Sequence, residues 1–329
     1  MRAGVLRWHA LYQENGEGRR QRECGPQGNM WIMANRHFGN LADVWKHAVL
    51  VEVLERESPG WYAETHAGSG AYTVVNDGER EFGVLRFLEV APRFPALARS
   101  RYRAISASYA ERDPGLYPGS ALLAMTVLGD ASSYLLCDLD GESMTDLRRW
   151  SRELGLHRCE VAEADGMTAV AARLDSAARE PGLVHIDPFD PDARVPGGYS
   201  AFELAARVAD SGSRLVYWYG HDEPGAHGRA HKQLAAVTRA PLWCGEVMVT
   251  GASDSLRDLG RTTTPCTSGI ILANVQATTA GACAVLGNAL SAAYADAVLP
   301  DGRPASLAFS TSTTSTGYAR DGSRPEQQT

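Results

Sequence analysis

The sequence predicts an α/β fold, a doubly wound and mostly parallel sheet of seven strands with helices on both faces. Two observations carry the prediction. Short apolar runs rich in β-branched and aromatic residues alternate with stretches of helical spacing, the order that parallel neighbours need because each crossover is covered by a helix. Acids and glycines then close several of those runs, and an open α/β sheet binds its ligands beyond the carboxyl ends of its strands.

The elements can be taken in order. In "LADVWKHAVLVEVLE" the apolar Leu41, Val44, Ala48 and Val51 recur at helical spacing, so a helix buries that stripe and leaves Lys46 and His47 near its start to turn toward a ligand. Strands are read in "GWYAET" before His66, "SYLLCDLD" at 133–140, "HRCEVAEAD" at 157–165, "GLVHID" ending at Asp187, "RLVYWY" at 214–219, "WCGEVMV" at 243–249 and "GIILANV" at 269–275. The last two are joined by "TGASDSLRDLGRTTTPCTS", which has little helical pattern, so a terminal antiparallel pair is expected. Residues 1–32 are polar and arginine-rich, and 301–329 is a polar, Ser/Thr-rich tail. Both are expected to be disordered, which leaves 33–300 as the folded domain.

Composition narrows the function. The chain has 329 residues, 44% hydrophobic and 22% charged, enough for a substantial core. No run of about 18 apolar residues occurs and the start lacks a secretory layout, so a cytosolic protein is expected. Six cysteines are scattered without a C-x-x-C pair, which argues against a zinc knot or a disulfide framework. The net charge of −7 means that any nucleic-acid binding rests on a local patch, because phosphate neutralisation needs Lys and Arg. Arg36, His37, Lys46, Arg80, Arg86, Arg93, Arg99, Arg101 and Arg103 are candidates for such a patch, with Glu79, Glu81 and Glu89 among them as partners in the competing reading of a solvated, charge-paired helix.

The strand ends carry the chemistry. In "THAGSGAY", Gly68 and Gly70 remove side chains where a ligand would approach the backbone, although a tight turn alone explains an isolated G-x-G. Asp138, after the second strand, is placed to accept both hydroxyls of a ribose. Asp165, after the third, can accept from an adenine amine while Gly166 keeps the wall close. Asp187 ends the fourth. One such acid is chance, but acids after three successive strands suggest a nucleoside-bearing cofactor.

In combination and in order, "GNLADVWKH", "ETHAGSGAY", "YPGS", "CDLD", "EADG" and "IDP" make the chain resemble the 23S rRNA adenine methyltransferases. These enzymes use S-adenosylmethionine to methylate the exocyclic amine of one large-subunit adenine. The resemblance runs from about Asn35 to Val275. It implies a Rossmann-like methyltransferase sheet with a helical insertion at about 74–113. It also implies that Lys46, His47, His66, Ser120, Asp138, Asp165 and Gly166 surround the methyl donor, with Asp187 as the catalytic acid.

The residues can be weighed by themselves. His66 is either a locally satisfied histidine or a donor contact, and Ser120 in "YPGS" can cap a helix and still touch a cofactor. A neutral amine attacking a sulfonium methyl needs its lone pair oriented and its developing charge absorbed. The Asp187 carboxylate would accept one N–H and the Pro188 carbonyl the other, and no metal is required. The chain departs from the family pattern Asp-Pro-Pro-Tyr, reading Asp187-Pro188-Phe189-Asp190. Either Phe189 supplies the ring that stacks on the base, or Asp190 meets a different, cationic substrate. The family's N-terminal tyrosine has no match either, since Ile32 occupies that register. Three readings stay open: an RNA adenine methyltransferase, a small-molecule amine methyltransferase, and a catalytically silent donor-binding protein.

Overall fold

The computed structural model describes residues 38–112, 114–176, 180–188, 190, 194–222, 228–250, 266–299 and 302–314. The chain enters through helix α1 (Leu41–Glu57), capped by the Asn40 side chain on the Asp43 amide. Strand β1 (Trp61–Glu64) follows, then a short antiparallel ladder outside the main sheet, β2 (Ala71–Thr73) with β3 (Leu116–Pro118). Between these two the chain forms α2 (Gly78–Arg80), α3 (Arg86–Val90), α4 (Pro95–Arg99) and α5 (Arg101–Ala110). The alternation expected from the sequence then sets in: α6 (Ser120–Leu128), β4 (Ser133–Asp138), α7 (Gly141–Glu153), β5 (Cys159–Glu163), α8 (Gly166–Ser176), β6 (Leu183–Ile186), α9 (Ala201–Asp210) and β7 (Arg214–His221). The chain continues through α10 (Arg229–Ala235), β8 (Leu242–Thr250), β9 (Thr267–Ala273), α11 (Ala277–Ala293), β10 (Ala297–Val298) and β11 (Pro304–Thr314).

Across the main sheet the order is β10-β11-β8-β9-β7-β6-β1-β4-β5. Strands β5, β4, β1, β6 and β7 are parallel, whereas β9 runs antiparallel to both β7 and β8. From β1 the chain builds outward through β4 and β5, then returns to place β6 on the other side of β1. The order therefore reverses between β1 and β6, where carboxyl ends open a crevice.

Each face of the sheet has its own core. On one face lie α1, α6, α7, α11 and the segment between β2 and β3. On the other lie α8, α9 and α10. Helix α1 was expected to bury one stripe but is buried nearly all round, with Trp45, Val49, Leu50, Val53 and Leu54 also in the core. The reason is that the inserted helices and α11 pack over the side that would otherwise meet water. Among the described residues no helix is long and apolar enough to cross a membrane.

All seven expected strands are present, and two more complete the sheet. The tail expected to be disordered from 301 instead carries β11, paired antiparallel with β8 from Ser306 opposite Thr250 to Thr314 opposite Leu242. Its Ser/Thr-rich composition hid the strand, yet Ala305 and Leu307 are buried at period-two spacing and Phe309 packs edge-on against Trp45 at 5.3 Å. Without β11, the deeply buried β8 would present an open edge. The expected disordered extension at 1–32 lies outside the described residues.

The strand makes a testable difference between adjacent positions. Leu307→Asp places a carboxylate in the core and should cost at least about 3 kcal/mol, lowering the thermal midpoint by about 6–12 °C. The same change at the exposed Ala308 should leave it within about 2 °C. Thermal unfolding followed by circular dichroism checks both, and equal midpoints would mean that this segment does not pack as a strand.

Candidate active site

The site lies at the carboxyl ends of β1, β4, β5 and β6. Past β1, the chain stays hooked to both neighbours, Thr65 donating its amide to the His185 carbonyl at 3.2 Å and Ala67 to that of Cys137 at 2.8 Å. Gly68 then takes a positive φ of 55°, a backbone that favours glycine, and its amide donates to Asp138 Oδ2 at 2.9 Å. Asp138 Oδ1 accepts the Asp140 amide at 3.0 Å, so two backbone donors fix this carboxylate at the tip of β4. The Gly70 amide reaches Asp146 Oδ2 on α7 at 3.0 Å. A Cβ at Gly166 would lie 2.0 Å from the Thr65 carbonyl oxygen, which is why glycine stands where α8 begins. Asp165 Oδ2 accepts the Thr168 amide at 2.9 Å and caps that helix.

His66 is held through Nδ1 by Thr65 Oγ1 at 2.9 Å. Burial lowers its pKa, against the opposing pull of Asp138, Asp187 and Asp165. Asp138, Asp165 and Asp187 thus act electrostatically on one imidazole near the strand tips.

Lys46 reaches these tips from α1. Its Nζ donates to Asp187 Oδ2 at 2.5 Å and pairs with Asp43 Oδ1 at 2.8 Å. Burial opposes its charge, yet the two carboxylates hold its pKa above the ordinary lysine value. Burial likewise pushes Asp187 up, but the Lys46 ammonium outweighs it and the carboxyl lies below the usual aspartate range. The pair is ionic, and Asp187 is an acceptor.

His47 does not come to the strand tips. Adjacent helical residues point about 100° apart, so the turn that aims Lys46 at Asp187 sends the His47 ring into the aromatic core. There Nδ1 lies 2.6 Å from the Tyr117 hydroxyl and the ring stacks on Tyr117 at 5.7 Å. Burial lowers its pKa to about 3, which leaves it neutral. Ser120 is also buried, its hydroxyl donating to Glu64. Pro188 is buried and Asp190 exposed, while Phe189 lies outside the described residues.

Two residues of the site's floor were missed by sequence reading. Glu64 and His185 are fully buried. Glu64 accepts from Tyr62 Oη at 2.8 Å and lies 3.0 Å from His185 Nδ1, besides its bond from Ser120. Each is a lone polar residue inside an apolar run, "WYAE" and "LVHI", and that interruption was the available signal. Among the described residues, no group of three or more His, Cys, Asp or Glu could hold a metal ion.

Part of the expected basic face is paired with carboxylates, one pair with its arginine buried and two solvent-exposed, while Arg99 is exposed. Arg80 is buried against Asp77 at 2.6 Å, Arg93 pairs with Glu89 at 3.7 Å, and Arg101 with Glu55 at 3.7 Å. Arg36 and His37 lie outside the described residues.

Residues 57–239 match a family model described as "Ribosomal RNA large subunit methyltransferase D, RlmJ". Ribosomal RNA large subunit methyltransferase J of Escherichia coli (strain K12) is 32% identical over 161 residues, covering 46% of this chain and 56% of that protein. Its namesake in Haemophilus influenzae is 31% identical over 163 residues, with the same coverage. This chain thus matches little more than half the length of these relatives. A crystal structure of protein LPL1258 from Legionella pneumophila superposes with a TM-score of 0.64 at 18% identity, covering 85% of this chain and 99% of that one. That likeness establishes the fold.

The Lys46–Asp187 pair predicts a pH effect. A group that must be ionised to accept a hydrogen bond is lost as pH falls through its pKa, and Lys46 holds that pKa down. Lys46→Met should therefore move the acidic limb of the pH–activity profile to higher pH by about one to three pH units, a displacement absent if Asp187 does not titrate in that limb.

Proposed function

Because the chain belongs to the ribosomal RNA large subunit methyltransferase D, RlmJ family, we infer that it is an S-adenosylmethionine-dependent methyltransferase acting on the exocyclic amine of an adenine in ribosomal RNA. The observation that carries this reading is Asp187, an ionised carboxylate at the tip of β6 beside the reversal of strand order. Asp138 and Asp165, at the neighbouring tips, suit a nucleoside-bearing donor, and the backbone approach at Gly166 leaves the wall of that crevice without a side chain.

The bound donor supplies a methyl group on a sulfonium sulfur. Asp138, anchored by the Gly68 and Asp140 amides, would accept from ribose hydroxyls. Asp187 would accept one N–H of the acceptor amine and the Pro188 carbonyl the other, which turns the nitrogen lone pair toward the methyl carbon. As the N–C bond forms, the S–C bond breaks, its electron pair stays on sulfur, and positive charge appears on nitrogen. Asp187 stabilises that charge and takes the departing proton, with solvent as its final destination. For this Lys46 has to cede Asp187 Oδ2, and Asp43 offers it a second carboxylate.

A small-molecule amine is the second reading. The exposed acid Asp190 next to the catalytic stretch and the burial of Arg80 against Asp77 favour it. A silent donor-binding protein is disfavoured because the Lys46–Asp187 pair is intact.

Labelled S-adenosylmethionine offered with deproteinised large-subunit rRNA or with a metabolite extract separates the readings. Label is expected in the RNA, falling steeply with salt as phosphate contacts release counterions. Label confined to the extract would move the assignment to a small amine. Asp187→Ala should cut turnover at least about a hundredfold with donor affinity nearly intact. Asp138→Ala should weaken donor binding by about 1.5–3 kcal/mol in calorimetry. A loss of affinity alone on Asp187→Ala would make that residue a binding group.

A further inference from the structure

Trp218 stands beside the catalytic carboxylate and has no part in the chemistry described so far. The parallel register of β6 and β7 runs to Ile186 opposite Tyr217, so Asp187 and Trp218 are the next residues on the two strands. Trp218 lies on the α1 face and packs only partly buried against that core. Its Nε1 donates to Ser268 Oγ on β9 at 2.9 Å, which fixes the rotation of the indole. Lys46 Nζ lies 5.4 Å from the centre of that ring while it donates to Asp187 at 2.5 Å.

The ammonium thus occupies the place an acceptor amine has to take. It donates an N–H to the acceptor carboxylate and rests by an aromatic face. The lysine makes the second contact through its charge; a neutral aliphatic amine, the form that can attack a methyl group, has no such charge and reproduces only the first, whereas a neutral amine on a flat ring brings that ring to the indole face. Asp190, exposed three residues beyond Asp187, offers an acid and no ring face. We propose that Trp218 is the specificity-determining surface of the site, against which a planar heteroaromatic amine lies when its nitrogen is held on Asp187. Lys46 gives up both contacts at that moment and keeps its bond to Asp43. This rests on the reading of the acceptor as a ring amine.

The test uses the full chain, labelled S-adenosylmethionine and deproteinised large-subunit rRNA, with donor affinity measured by calorimetry on each variant. Trp218→Leu is expected to lower kcat/KM for RNA at least about tenfold, and Trp218→Phe to stay within about threefold of the parent, since base stacking needs a ring. Donor affinity should be unchanged in both, which a general loss of folding would not leave intact. Ser268→Ala frees the indole and should lower the same ratio about threefold; it carries the test should Trp218→Leu fail to fold. An unchanged ratio in Trp218→Leu, or in Ser268→Ala where that variant carries the test, overturns the proposal while the RNA assignment stands. A weakened donor affinity in Trp218→Leu overturns it by assigning the indole to the donor. No label in RNA from the parent protein overturns the functional reading and this inference together.

Discussion

One buried ion pair organises the end of this molecule where the parallel strands finish. Lys46 and Asp187 come from α1 and from the tip of β6, and the 2.5 Å contact between them ties the first helix to the fourth strand laid down in the parallel sheet. Burial disfavours both charges and each helps to hold the other ionised, so truncating one partner of such a pair costs about 3–5 kcal/mol. The arrangement is unequal, since Asp43 supplies a second carboxylate to the same ammonium. That inequality lets the lysine move between acids and leave Asp187 available as an acceptor. Asp43 is itself fixed by its Oδ2 accepting the Gly39 amide at 2.7 Å, which sets the start of α1 and hence the direction of Lys46 one turn later.

Beneath the pair is a polar floor shared by three elements. Glu64 on β1 gathers the hydroxyls of Tyr62 and of Ser120, at the start of α6, and stands against His185 of β6. A buried carboxylate with several donors is tolerated because each oxygen is satisfied, and the bonds hold β1, β6 and α6 in one register below the crevice. The glycine turn above it is clamped in the same way. Asp138 takes the Gly68 amide, and Asp146 takes that of Gly70, where a Cβ would come within 2.3 Å of the Trp150 ring. The crevice proposed for the donor is therefore lined by carboxylates whose orientations backbone amides already set.

The fold supplies this precision through covering layers rather than through the sheet alone. The segment between β2 and β3 lies over α1, and Tyr294 from the end of α11 donates to the Gly83 carbonyl at 3.0 Å, joining the inserted helices to the last helix of the chain. Strand β11 closes β8 and delivers Phe309 to Trp45. Elements remote in sequence thus bury most of α1 apart from its last turn, and a helix so enclosed can hold a charged side chain at a fixed angle.

What the sequence determined by itself was whatever depends on near neighbours in the chain. Apolar runs ended by an acid revealed β4, β5 and β6 with Asp138, Asp165 and Asp187, because a strand is only a few residues long and its tip is local. The glycines after β1 and at α8 were legible for the same reason. The tertiary structure decided which partners those residues meet. Lys46 and Asp187 are 141 positions apart, and no local pattern says that the helix crosses that strand tip, nor that His47 is turned away toward Tyr117. Composition hid β11, since a Ser/Thr-rich run becomes a strand only when an unpaired edge waits for it. Trp218 read as one more aromatic in an apolar strand; the register of β6 with β7 set it beside Asp187, and register is fixed by packing across the sheet, not by the order of residues along it.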